Sequence, residues 1–236
     1  MLSYAALSPW MGVYTLSPME SFAPVIQKIC LWALPVLLAV ILHEIAHGYV
    51  AFRLGDSTAA QAGRLTLNPF AHVDLFGTII LPLLLLFGGA PFLFGYAKPV
   101  PVNFLSLRNP RRGMVLVAAA GPATNLLLAG VSALVYRLIP LLGIPENDLF
   151  ATNLQFVKAV AGASVLMNVG LAVFNMLPLP PLDGGRVATG LLPRSPAIAL
   201  ARLEPYGMLI IMVLLATGAL DHVLHPMTKF LIRTLL

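Results

Sequence analysis

Three residues with chemistry to offer, His43, Glu44 and His47, sit in the stretch LHEIAHGYV at 42–50, inside an otherwise apolar run. Histidines four apart lie on one face of an α-helix, a turn apart, where both imidazoles can reach a single metal ion. Glu44 lies about 100° round the helix, off that face, yet within reach of a water held in the ion's open position. Zinc lowers the pKa of such a water towards roughly 7, and a carboxylate can then take its proton. The blander reading is two histidines packed in a helix interface. Ionisable groups inside a membrane span are expensive and are functional by default, and three in five residues would each need a separate structural purpose.

Two histidines and a water leave a zinc ion one protein ligand short. The candidates are His72 and Asp74 in the loop after the first apolar run, His222 and His225 near the C-terminus, and Asp183 in LPLPPLDGG. The setting of Asp183 is the unusual one. Prolines at 178, 180 and 181 end regular helix before it and free carbonyls, which a membrane tolerates only where backbone lines a cavity or protein. Gly184 and Gly185 after it allow a tight turn and close approach of other backbone. The arrangement reads as a ligand arm.

These residues need elements to hold them, and composition says which kind. Of 236 residues, 59% are hydrophobic and 10% charged, against about 25% charged in a soluble domain. The chain therefore reads as an all-α polytopic membrane protein. The formal charge of +5 comes from single basic residues in loops, with no run and no interleaved aromatics, so nucleic acid is not an expected partner and the lipid bilayer is. A lone cysteine, Cys30, excludes an intramolecular disulfide, and no segment reads as a cleaved signal peptide.

Apolar stretches at 29–52, 113–136, 159–177 and 205–220 give about four transmembrane helices. A shorter run at 75–87, broken by GGAP before FLFGYA resumes, reads as a re-entrant or short membrane segment. Small strand-like loops are expected at RLTL, 64–67, and in FLFGYAKPVPV, 92–102, either of which could hold an extended substrate by strand addition. The chain divides into an N-terminal segment 1–28, a membrane domain 29–220 and an amphipathic interfacial tail 221–236. If His43, His47 and Asp183 share one ion, the spans 29–52 and 159–177 must run parallel, which requires 75–95 to be re-entrant. That topology puts nine of the 14 Lys and Arg on the face carrying the candidate ligands and five on the other, so the site is expected towards the cytoplasmic side of a plasma membrane.

HEIAHGYVAFRLGD, GRLTLNPFAHVDLFGT, AKPVPVN, GPATN and NMLPLPPLDGGR, in that order, resemble the site-2 proteases, most closely the compact prokaryotic branch without a PDZ domain. The resemblance runs from about residue 25 to 220 and implies an intramembrane zinc metalloprotease that cuts membrane-anchored protein substrates. It implies one zinc ion per chain on His43, His47 and Asp183, with Glu44 as the catalytic base. Asn175, in the family's NxxPxPxLDG pattern, is implied to position substrate. Asn125 of GPATN lies in a span packed near the site, and both asparagines are plausible linings of a water and substrate path. The alternative is a membrane metal transporter or a metal-dependent scaffold. A transporter usually shows inverted repeats, which the sequence lacks, and neither needs Glu44.

Overall fold

The computed structural model describes residues 23–90, 94–143 and 149–236, so most of the N-terminal segment 1–28 lies outside the described residues. Among the described residues, three helices are long and apolar enough to cross a membrane, over Leu31–Arg53, Pro110–Leu142 and Thr152–Asn175. They belong to α1 (Ala23–Arg53), α3 (Pro110–Leu138) and α4 (Leu149–Asn175). In hydrocarbon every backbone N–H and C=O must be satisfied within the segment, which is why these apolar runs can only be helical. α3 starts where Asn109 accepts from the Arg112 N–H, with Pro110 in the first turn, where its missing donor costs nothing.

Lipid tails are as apolar as leucine, so close packing and not water exclusion joins these helices. The core is accordingly small: Ala129 and Ala133 of α3 meet Val165, Val169 and Val173 of α4. Larger side chains, including Leu34, Leu127 and Leu134, remain on the outside. Asn125 of α3 bonds Asn168 of α4, and one or two turns further along, Ser132 bonds Ser164. The two helices are therefore antiparallel. His43 of α1 meets Asn125 while His47 meets Val117, so α1 and α3 are antiparallel too. It follows that α1 and α4 are parallel.

The segment between α1 and α3 leaves and returns at the same end, because the Arg108 N–H donates to the Leu54 carbonyl at 3.0 Å. Within it, π-helical turns at Leu75–Ile80 lead into a short helix, α2 (Leu81–Phe87). Thirteen residues, Leu75–Phe87, reach only about 20 Å at ~1.5 Å each, in keeping with a segment that enters without crossing.

Two expectations need correction. Among the described residues there is no strand. Residues 65 and 66 form a bend, and Leu65 packs on Gly48 of α1 while Leu67 is exposed and Arg64 buried; the alternation of RLTL does not sort into a buried and an open face. Residues 94–103 are extended but unpaired. The N–H groups of Tyr96 and Lys98 turn inward to the carbonyls of Gly77 and His72, and Pro99 and Pro101, which turn the other way, have no N–H to offer an added strand. The fourth span is also shorter than the apolar run suggests. α5 (Asp183–Leu191) and α6 (Arg194–Ala201) precede α7 (Glu204–Ala216), which has 13 residues and is bent by 67° from α6. Only the bent pair together has the length of a span. The tail forms α8 (Asp221–Leu235), and its apolar side, Leu224, Leu231, Ile232 and Leu235, lies on the α3–α4 core.

Candidate metal centre

Along α1 the residues facing the bundle recur every fourth position: Ala39, His43, His47 and Ala51, all buried. The alanines let α3 approach, and the imidazoles fill the space between. Asp183 arrives from the opposite direction. After α4 ends at Asn175, the arm Met176–Leu182 folds back on itself, with a cis bond between Pro180 and Pro181, and α5 begins at Asp183. A Cβ at Gly184 would overlap the carbonyls of Met176 and Leu177, so this arm needs glycine there, as its sequence suggests. α7 braces the arm from outside through Gly207, where a Cβ would overlap the Pro180 carbonyl.

The outcome is three buried ligand atoms facing one another. His43 Nε2 and His47 Nε2 are 3.0 Å apart, and they lie 3.1 and 3.3 Å from Asp183 Oδ2. Their other valences decide what these atoms carry. The Asn125 NH2 donates to the Ala39 carbonyl and to Asn168 Oδ1, so Asn125 Oδ1 faces His43 Nδ1 at 2.5 Å as an acceptor. His47 Nδ1 faces the Val117 carbonyl at 2.7 Å. A carbonyl oxygen only accepts, hence both Nδ1 atoms donate, and each neutral ring presents a lone pair at Nε2. Two ring lone pairs and a carboxylate oxygen therefore converge, and that oxygen has no hydrogen-bond partner. A proton could relieve one such contact; a divalent cation relieves all three. Separations near 3.3 Å are what tetrahedral bonds of about 2.0–2.1 Å produce. Gly121 of α3 closes the space: a Cβ there would lie against His47 Nε2 and against His43 Cε1 and Nε2. The residues present fit a zinc ion.

Glu44 is half-buried on the neighbouring face, and its Oε2 accepts from the Val100 N–H at 2.8 Å. Val100 belongs to the extended segment 94–103, held in turn by Arg64, whose guanidinium donates to the Lys98 carbonyl, and by Asp56, whose carboxylate accepts from the Asn103 N–H. Asp56 is almost fully buried and also accepts from the Thr58 N–H and hydroxyl. Burial raises its pKa, and the hydrogen bonds from Thr58 and Asn103 outweigh that, so it stands below the ordinary carboxylate value.

The other ligand candidates are occupied elsewhere. His72 Nε2 donates to the Thr66 carbonyl, and Asp74 caps the following turn by accepting from the Gly77 N–H. His222 and His225 are exposed on α8. Among the described residues, His43, His47 and Asp183 form the one group of three that could hold a metal. Asn125 is fully buried behind His43, with its amide bonded to His43, the Ala39 carbonyl and Asn168. Asn175 is half-buried and donates to the Leu171 carbonyl. Sequence reasoning passed over Gly121 and Asn168. Gly121 stands in the same GPATN stretch as Asn125, and a polar Asn168 amid an apolar span was the available signal.

A profile described as "Peptidase family M50" matches residues 139–217, the stretch that carries Asp183. A Bacillus subtilis (strain 168) protein named "Putative zinc metalloprotease YwhC" is 39% identical over 192 residues, covering 81% of this chain and 83% of that protein. "Putative zinc metalloprotease Rip2" of Mycolicibacterium smegmatis is 31% identical over 213 residues, covering 90% and 75% respectively. No solved structure matches.

Proposed function

Since this chain belongs to peptidase family M50, the site-2 protease family, and is a membrane-embedded zinc metalloprotease of that type, we propose that it hydrolyses peptide bonds of membrane-anchored protein substrates, with His43, His47 and Asp183 as the zinc ligands and Glu44 as the base. The observation that carries this assignment is the convergence of two imidazole lone pairs and an unpartnered carboxylate oxygen beside a separately held carboxylate.

When bound, zinc supplies Lewis acidity and an acidified water. The chain's own residues supply the rest. Asn125 and the Val117 carbonyl fix the two imidazoles, and the arm 176–182 delivers Asp183. Glu44 takes the proton of the attacking water and passes it to the leaving amine; the Val100 N–H on Oε2 keeps its carboxylate oriented. Asn175, at the end of α4 just before the arm, is assigned to positioning substrate. The bias of nine basic residues to five supports a site towards the cytoplasmic side of a plasma membrane.

The experiment pairs zinc content with cleavage of a membrane-anchored reporter in detergent-purified protein. Wild type should hold one zinc per chain, and Asp183→Ala should lose it with the helices intact. Glu44→Gln should keep its zinc and lose turnover by about 10²–10⁴-fold. Full cleavage by Glu44→Gln would remove the base and favour a transporter or scaffold; equal zinc in Asp183→Ala would remove the third ligand.

A further inference from the structure

We propose that Asn168 is a positioning residue for the metal centre, acting through Asn125 to hold His43 in the tautomer whose Nε2 is free to coordinate. The proposal rests on the assignment of His43 as a ligand. Asn168 lies on α4, touches neither ligand histidine through a hydrogen bond, and is only 1% exposed.

The chain of hydrogen bonds crosses three helices. Ser132 of α3 donates to Ser164 of α4 at 2.8 Å. Asn168 Nδ2 donates to the Ser164 carbonyl at 2.9 Å and lies 3.2 Å from its hydroxyl. That fixes which way the Asn168 amide faces, so Oδ1 turns to Asn125 and accepts from its NH2 at 2.9 Å. The same NH2 donates to the Ala39 carbonyl at 3.2 Å. With both protons of Asn125 directed away, its oxygen is the atom left for His43 Nδ1.

A flipped Asn125 would turn its NH2 to the ring instead. His43 would then accept at Nδ1, carry its proton on Nε2, and present a donor where a ligand lone pair is needed. Two acceptors oppose the flip, the Ala39 carbonyl and Asn168 Oδ1, and the Asn168 bond is the shorter. A wrong amide orientation in a dry interior has no water to rescue it, so the pairing is specified rather than averaged. Partners of metal-bound histidines commonly set metal affinity in this way; here the control extends one residue further, to a helix that carries no histidine ligand.

The test measures zinc affinity by competition with a chelator in detergent-solubilised full-length protein, beside the ring ¹⁵N shifts of His43 in the metal-free form. Asn168→Leu should weaken zinc by about fivefold to tenfold and show a mixture of His43 tautomers. Asn168→Asp, isosteric and in its protonated form offering Asn125 an oxygen acceptor and the Ser164 carbonyl an O–H donor, should restore both to near wild type. Should the leucine variant fail to fold, Asn168→Ser replaces it with the same expectation, since its hydroxyl can return to Ser164 but not reach Asn125. Unchanged affinity and a single Nδ1–H tautomer in the variant lacking the acceptor would overturn the proposal. So would equal losses in the leucine and aspartate variants, which would mark a packing role. His43→Ala is measured alongside: if it keeps its zinc, the fault lies in the ligand assignment and not in Asn168.

Discussion

The two carboxylates of this site are held by different kinds of structure. Asp183 meets its histidines inside a frame of α1, α3 and α4 whose buried polar side chains, His43, His47, Asn125 and Asn168, are all paired. Glu44 is held from the other side by an extended segment, through one backbone N–H. The supports of that segment are less complete: Arg64 Nε and His72 Nδ1 are buried without partners. Helices fix groups whose geometry must not vary; an irregular segment with spare polar atoms can shift as a substrate enters. On this view metal affinity follows the helices and turnover follows the segment.

The sharpest way to break that division is Gly121→Ala. A methyl group there occupies the space in front of both Nε2 atoms, and zinc affinity should fall by about a hundredfold, the upper end of the range for disturbed ligand partners. Zinc retained at full affinity would show that the frame yields. A smaller and opposite result is expected from Val100→Pro, which removes the N–H on Glu44. Turnover should drop about tenfold while zinc per chain is unchanged, as for the loss of one orienting hydrogen bond to a charged group. A parallel loss of zinc would join the two regions into one.

Asp56→Asn sharpens the comparison least, since it touches only the anchor of the segment. At pH 7 it should destabilise by about 1–2 kcal/mol, because an amide cannot accept from Thr58 and Asn103 with both oxygens. The folded pKa of Asp56 is depressed, so its contribution is present above the unfolded value near 3.9 and fades as pH falls from there through the folded value. Thermal melts of the two proteins should therefore converge below about pH 4. Parallel curves down to the lowest pH would show that Asp56 is not ionised in the fold.

What could be read in the sequence follows from how local each signal is. His43 and His47 are neighbours by helix period alone, and the Pro and Gly residues around Asp183 announce a broken helix wherever it sits. The parallel course of α1 and α4 was recoverable as a consequence of sharing one ion. Asn125 stood out as a polar residue in oil, but whether it faces substrate or a histidine depends on the rotation of α3 against α1, which no periodicity states. Asn168 lies behind it, one contact further from anything that sequence could anchor. The segment FLFGYAKPVPV, 92–102, reads as strand-like, with Tyr96, Lys98 and Val100 alternating with Ala97, Pro99 and Pro101; its inward bonds go to a 3-10 turn, a π-turn and a side chain, and none of these carries a strand signature.

The 13 residues of α7 have a consequence for the lipid itself. A helix of about 20 Å is shorter than a hydrocarbon layer of about 30 Å, so the flank is spanned only by α6 and α7 together, and any mismatch there costs a fraction of a kcal/mol for each ångström. That flank is the one whose Gly207 rests on the Pro180 carbonyl, next to the arm that carries Asp183. The angle between α6 and α7 sets how much hydrocarbon thickness that flank matches, which makes acyl-chain length a variable to set against turnover.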